Sequence, residues 1–288
     1  GDLHVHSSYS DGAETPERVV ANYRSAGYDF VVISDHENYH ASVRAKEFYK
    51  NVPVEMTIFN GEEVHSPGNP IHIVNFAGSQ SVQEMADSSS YGYKENLIGI
   101  EDATEKIIAS CRWVCENIRK VGGLAIFAHP FWITDAYQVS IKLTGKLLES
   151  NIFDAFELLG GLSPVENMMQ TSFYSTYFFN NDTGKYILPI VGSSDSHGTV
   201  RESFKGSSIL NPVENDYGYF DYYTIVFANN NSEDYIIDAI RNGYTVAVNS
   251  TDPDNPLVYG NFRFLSYAVF LLSEYFPIHQ QDCFEEGK

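Results

Sequence analysis

Short apolar runs rich in β-branched residues recur along the chain, and stretches with helical spacing separate most of them. The runs are Leu3–Ser7, Phe30–Ser34, Met56–Asn60 continuing to Val64, Ile71–Ala77, Leu124–Ala128, Ala155–Leu159 and Ile187–Gly192. Such continuous apolar runs read as strands buried on both faces, the pattern of a parallel sheet covered by helices. Thr15-Pro16-Glu17 predicts a helix start, with Thr15 as N-cap and Pro16 in the first turn, and Gly27 predicts its stop. Further helices are expected over Ala41–Lys50, Ala103–Val121, Ile141–Glu149, Val165–Phe179 and Glu233–Arg241. The fold class is therefore α/β. The number of strands suits a closed barrel better than an open sheet, and no glycine-rich phosphate loop follows the first strand.

Two polar stretches interrupt this order. Residues 79–102 read as a loop or lid inserted into the barrel, and 211–223 as an irregular, aromatic-rich connection. After Asp252-Pro253-Asp254-Asn255-Pro256 an apolar helix is expected around Phe262–Phe276. This divides the chain into a barrel over 1–248 and a helical C-terminal appendage over 249–288.

Charge narrows the class of partner. Lys and Arg number 18 against 38 Asp and Glu, a formal net charge of −20, so the basic footprint that long nucleic acids require is missing. No run of about 18 apolar residues is present, which predicts no membrane-spanning helix. The three cysteines are sparse and odd in number, which fits a reducing compartment, and no signal peptide is visible, so a cytoplasmic setting is expected. Cys111 and Cys115 lie one helical turn apart among Ile107, Ile108, Val114 and Ile118, and read as core residues rather than metal ligands.

The chemistry is carried by histidine. Of nine histidines, seven fall where strand-like runs begin or end, beside carboxylates; His40 and His279 are the two outside these groups. The groups are Asp2-Leu3-His4-Val5-His6-Ser7 followed by Asp11, then Asp35-His36, Glu62-Glu63-Val64-His65, His72, His129, and Asp195-Ser196-His197. His4 and His6, two apart on a strand, project from one face and are able to hold one ion together. Glu63 offers two oxygens in different directions and so suits a bridging position. Imidazole and carboxylate together are ligands for zinc, manganese or iron. His36, His129 and Asp195 each follow a strand directly, at the end where barrels of this class carry their sites. Glu157, within the run Ala155–Leu159, also reaches that rim, as an orienting or substrate-binding group or as a cap for the next turn. Arg201 either holds a phosphate oxygen or pairs with Glu202 at the surface. His65 shares a face with Glu63 and is a candidate substrate contact.

These stretches, DLHVHSSYSDG, ISDHEN, GEEVHS with IHIVNF, FAHP and GSSDSH, resemble the PHP (polymerase and histidinol phosphatase) family of amidohydrolase-like metal enzymes. The resemblance spans residues 2–197 and implies a distorted (β/α)7 barrel around three divalent ions. It places His4, His6, Glu63 and Asp195 on one ion, Glu63, His72 and His129 on a second, and Asp11, His36 and His197 on a third. Asp35 would then be an outer acid fixing the His36 ring. The implied reaction is hydrolysis of a phosphoric ester by a metal-bridging hydroxide, with Asp195 or His197 passing a proton to the leaving group. The expected substrate is a small phosphorylated metabolite or a short nucleotide. Two other functions fit the same residues: a carboxylester or carbamate hydrolase, and a metal-binding regulatory module without turnover. Specificity is expected from 79–102, from the 131–140 segment with Phe131, Trp132 and Tyr137, and from 211–223.

Overall fold

A computed structural model describes residues 1–133, 139–180, 188–197 and 221–287, with backbone only for 177–180 and 287. Tyr137, Arg201 and most of the 211–223 connection lie outside the described residues.

Every strand run but the first, Leu3–Ser7, which makes only isolated bridges, condenses to short strands: β1 (Phe30–Val32), β2 (Thr57–Phe59), β3 (Gly61–Val64), β4 (Ile73–Phe76), β5 (Leu124–Phe127), β6 (Ala155–Leu159) and β7 (Ile190–Gly192). The first helix forms where it is expected. Helix α1 (Pro16–Ser25) starts on the Thr15 hydroxyl, which accepts from the Arg18 amide, and ends before Gly27 at φ 82°. The helices α2 (His40–Tyr49), α3 (Val82–Asp87), α4 (Ala103–Lys120), α5 (Ile141–Glu149) and α6 (Pro164–Asn180) follow in order. Cys111 and Cys115 are fully buried in α4, within the core cluster that also holds Ile118, Phe127 and Phe156, as the sequence suggests. Burial pushes the Cys111 thiol up to about 12.

The strand pairings run continuously. Segment 2–6 bridges β1 through Asp2 and Val31; β1 pairs with β2 in parallel; and His36, beyond β1, bridges Glu63 in β3. β3 pairs with β4, β4 with β5, β5 with β6 and β6 with β7. The order then returns to its start, because Val5 bridges Ser196 and the amides of His6 and Asp195 donate to Ser196 and His4 carbonyls.

The structure differs from the all-parallel expectation at β4, which is antiparallel to both β3 and β5. The turn between β3 and β4 is too short to carry a crossover, so the chain has to reverse. Residues 79–102 also differ from the expected loop. They contain α3 and two short 3₁₀ turns, and Val82, Met85, Ala86 and Tyr93 are buried in the same core as α4. Glu62 holds this segment in place: it accepts from the Asn75 side chain, the Ser81 hydroxyl and the amides of Val82 and Gln83, at the N-terminus of α3.

The C-terminal part adds a sheet the sequence pattern does not announce: β8 (Tyr222–Val226), β9 (Thr245–Asn249) and β10 (Leu257–Gly260), antiparallel, in the order β10-β9-β8. Helix α7 (Glu233–Arg241) joins β8 to β9. Gly192 of β7 makes room for β8, since a Cβ there would meet the Tyr223 carbonyl oxygen, and the Gly192 amide donates to the Thr224 hydroxyl. The tail continues as α8 (Phe262–Phe270), a π-helical turn Leu271–Tyr275, and α9 (Phe276–Gly287), which lies against α1.

Candidate metal centre

One rim of the paired strands gathers the predicted histidines and carboxylates. His36, Glu63, His129 and Asp195 come just after β1, within β3, after β5 and after β7, while His4 and His6 come from segment 2–6. His72 precedes its strand. The reversed direction of β4 explains this, because the start of an antiparallel strand lies beside the ends of its neighbours. Two of these residues hold backbone conformations that L-residues rarely adopt, His129 at φ 23° and Asp195 at φ 49°. Such strain costs on the order of 1–3 kcal/mol per residue and persists where the surroundings fix it. Gly161 is part of that fixing, since a Cβ there would collide with the Ser194 carbonyl next to Asp195.

Glu63 is the centre of the arrangement. It is fully buried. Its Oε1 lies 3.0 Å from His72 Nδ1 and 2.9 Å from His129 Nε2. Its Oε2 lies 2.6 Å from His36 Nδ1, 3.4 Å from His4 Nε2, 3.4 Å from His65 Nε2 and 3.6 Å from His6 Nε2. Asp195 Oδ1 is 2.9 Å from His6 Nε2 and 3.3 Å from His4 Nε2. On the open side Asp11 meets His197 Nε2 at 3.2 Å and His36 Nε2 at 3.4 Å. The nine expected ligands therefore converge, and His65 joins them by contacting His36 Nδ1 at 3.0 Å and stacking on His72 at 3.7 Å.

One sequence expectation is corrected here, and for Glu157 the orienting alternative is favoured over the substrate contact. Asp35 does not reach the His36 ring. It accepts from the amides and hydroxyls of Ser7 and Ser10, and so fixes the loop that carries Asp11. Glu157 does not line the cleft as a substrate contact; it is fully buried, with Oε2 2.9 Å from His4 Nδ1. His40 pairs with Glu84 at the surface, and His279 stacks on Tyr275, both away from the rim.

The protonation pattern shows what the site is built to hold. Glu63 and Asp195 sit well below the usual carboxylate range: burial alone would raise them, but the surrounding imidazoles outweigh it. Burial pulls His36 down, yet the Asp11 and Glu63 carboxylates prevail and lift it to about 10. Burial wins for His6, at about 3, and for His72, at about 4. The fit to a cation is most direct at His4 and His6. With the Nδ1 proton of His4 given to Glu157, its Nε2 presents a lone pair 3.1 Å from His6 Nε2, beside oxygens of Asp195 and Glu63. Two ring nitrogens facing each other among acceptors are poorly served by one proton and well served by a cation. Groups able to hold an ion are His6, Asp11, His36 and His197; His4, Glu63 and His129; His4, His6 and Asp195; and His36, Glu63 and His65.

Comparison with known proteins agrees with this geometry. The model of the PHP domain matches residues 2–117. Over these residues the chain is similar to the PHP domain. The match includes His4, His6, Asp11, His36, Glu63 and His72, and the fold brings His129, Asp195 and His197 to the same place from beyond it. Among curated proteins nothing matches. A solved two-domain protein from Bacteroides vulgatus, containing a predicted PHP-like metal-dependent phosphoesterase, is similar at 19% identity and a TM-score of 0.53. The likeness covers 85% of this chain and 63% of that one, so the chain spans less than two thirds of that relative's length. A candidate metal-dependent phosphoesterase from Bifidobacterium adolescentis gives 16% identity and a TM-score of 0.48, over 68% of this chain and 87% of that one. An amidohydrolase from Chromobacterium violaceum, with bound sulfate and no metal, gives 16% and 0.43, over 62% and 83%. Of these three, the first alone bears on the fold.

The role of Glu157 is testable. Glu157→Ala should weaken metal binding about 10–100-fold, as loss of the partner that orients a ligand ring does. Glu157→Gln, which keeps an acceptor for His4 Nδ1, should recover part of that. Competition against a chelating dye measures both; equal affinity of Glu157→Ala and the parent would remove Glu157 from the site.

Proposed function

We propose that the chain is a PHP-type metal-dependent phosphoesterase. Its substrate is a small phosphorylated metabolite or short nucleotide, bound on a distorted (β/α)7 barrel with 249–288 as an appendage. The barrel reading is supported by the pairing order that leaves segment 2–6 and returns to it. The observation that carries the function is Glu63, buried, with imidazole nitrogens around each of its two oxygens.

His4, His6, Glu63 and Asp195 would hold one divalent ion, Glu63, His72 and His129 a second, and Asp11, His36 and His197 a third, of zinc, manganese or iron. When bound, such ions supply Lewis acidity and a water acidified to near neutrality. The residues supply the rest. Glu157 keeps the His4 ring in one tautomer. Asp35 fixes the loop that presents Asp11. His197, the most exposed ring of the set, and Asp195 beside it carry the proton to the leaving alkoxide. His65, partly exposed, faces the substrate. The acidic surface argues for a small substrate over long nucleic acid. Among the described residues no helix is long and apolar enough to cross a membrane; the sparse cysteines support a cytoplasmic setting.

One observation favours a second reading. Around Asp11, Glu63 and Asp195 the described cationic partners are imidazoles, with no Lys or Arg among them. A carboxylester or carbamate, which needs no phosphate-binding cation, would suit that surrounding equally.

The deciding assay uses p-nitrophenyl phosphate and bis-p-nitrophenyl phosphate, on metal-stripped protein and with zinc, manganese or iron restored, beside His36→Ala. Metal-dependent turnover lost in the variant is expected. Silence with metal demonstrably bound would sink the phosphoesterase reading and transfer the test to ester and carbamate substrates. Silence on those too would leave a regulatory metal module.

A further inference from the structure

The last helical stretch is apolar on both sides, and one side is largely exposed. Its inner side is anchored. Ala268 is buried, Phe264 stacks on Phe227 at 4.9 Å, and Leu265, Leu271, Leu272 and Phe276 join a cluster with Ile225, Val246 and Val248. Its outer side is unusually bare. Phe262 is 85% exposed, Ile278 64%, Tyr267 and Phe270 61%, Tyr275 54% and Val269 53%. At about 150–250 Å² for each aromatic, this amounts to roughly 700 Å². The largest apolar patch of an ordinary monomer is about 300–600 Å², and each side of a stable interface buries about 800 Å².

The charges say what fits. Interfacial membrane helices carry Lys and Arg on the polar face. Over 261–287 the sole cation of that kind is Arg263, against Glu274, Asp282, Glu285 and Glu286, so an anionic bilayer would be repelled. Arg263 and Glu274 are both exposed and have no ion-pair partner among the described residues. They are eleven residues apart, close to three turns even with the wider π-helical turn at Leu271–Tyr275, and so lie on the same side as Phe270. A two-fold axis between residues 268 and 269 would set two copies of α8 antiparallel. Arg263 of each copy then faces Glu274 of the other, and Tyr267 lies beside Phe270. The register thus satisfies both lone charges and covers Phe270, the ring at the centre of the face.

We propose that this face is a homodimer interface, with α8 and the π-helical turn pairing antiparallel to the same segment of a second copy. The metal rim stays open in such a dimer. α9 lies on α1 by Gly27, before β1, whereas His36 follows the other end of that strand.

The test is sedimentation equilibrium of the full chain, from roughly micromolar upward. A mass of twice the chain is expected. Phe270→Glu should weaken it at least about 30-fold, as loss of a central aromatic anchor does. Arg263→Glu places like charges together twice and should weaken it about tenfold. The charge-swapped double variant, Arg263→Glu with Glu274→Arg, should return within about threefold of the parent. The swap decides even if Phe270→Glu folds poorly. A monomer throughout the range, or a dimer indifferent to Arg263→Glu, or a double variant as weak as the single, would overturn the proposal.

Discussion

Glu63→Gln is expected to lose at least one equivalent of bound metal and to reduce metal-dependent hydrolysis by more than about 100-fold, the loss that removing even an outer partner of a ligand can produce. The substitution keeps the shape and removes the charge. A neutral amide presents one acceptor and one donor where Glu63 presents two anionic oxygens, each to imidazole nitrogens within 3.0 Å. The neighbouring Glu62→Gln makes the contrast. Glu62 is equally buried but accepts from Asn75, Ser81, Val82 and Gln83, so its loss should leave buried donors unpaired and cost about 1–3 kcal/mol of stability. Metal content should be unchanged. Metal analysis after gel filtration, with a thermal melt of both variants, separates the outcomes. Full metal content in Glu63→Gln would remove Glu63 from the bridging position.

That two adjacent glutamates take opposite roles shows where the sequence stops being informative. The residues that converge at the rim were legible, because His and Asp placed at the ends of apolar runs have few other reasons to recur in that order. Which member of Glu62-Glu63 points inward depends on the pleat of β3, and a single-residue shift of register would exchange them. Glu157 and Asp35 were visible as acids at the rim, but their partners, His4 and the Ser7–Ser10 loop, lie 153 and 25 to 28 residues away in the chain. Such contacts are set by closure of the sheet and leave no local pattern.

The fold divides in the same way. Ala155–Leu159, Ile141–Glu149 and Glu233–Arg241 fall where periodicity and caps place them. β4 reads as one more apolar run, and its reversal is invisible because burial on both faces erases the alternation that marks an antiparallel strand. β8 to β10 were missed because Tyr222–Val226 sits inside an aromatic-rich stretch and Leu257–Gly260 follows a proline-rich turn. Residues 79–102 look polar, yet four buried apolar side chains and the Glu62 cap are enough to dock α3.

Stripping the metal should lower the melting temperature, and the drop should be larger near pH 8.5 than near about pH 6.5. A ligand at about 1,000 times its Kd contributes about 4 kcal/mol, roughly 8 °C for a chain of this size even for one ion. The pH dependence follows from what replaces the metal. In metal-free protein the Asp11 and Glu63 carboxylates hold the His36 proton up to about 10, and His4, His129 and His197 are raised as well. A ring whose folded pKa lies above its ordinary 6.5 stabilises the fold fully below 6.5 and loses that contribution as pH climbs to the raised value. Protons thus serve as the glue of the empty site in weak acid and leave it in base, where the carboxylates face neutral rings. His6 and His72 are depressed to about 3 and about 4 and stay neutral through this window, so they do not offset the trend. Metal-bound protein needs its rings unprotonated and is spared the loss. Melts with and without chelator at the two pH values, paired with proton release on metal addition to unbuffered protein, measure both sides. A chelator-induced drop that is constant or smaller at the higher pH, or metal binding without proton release, would mean that these imidazoles are not the ligands.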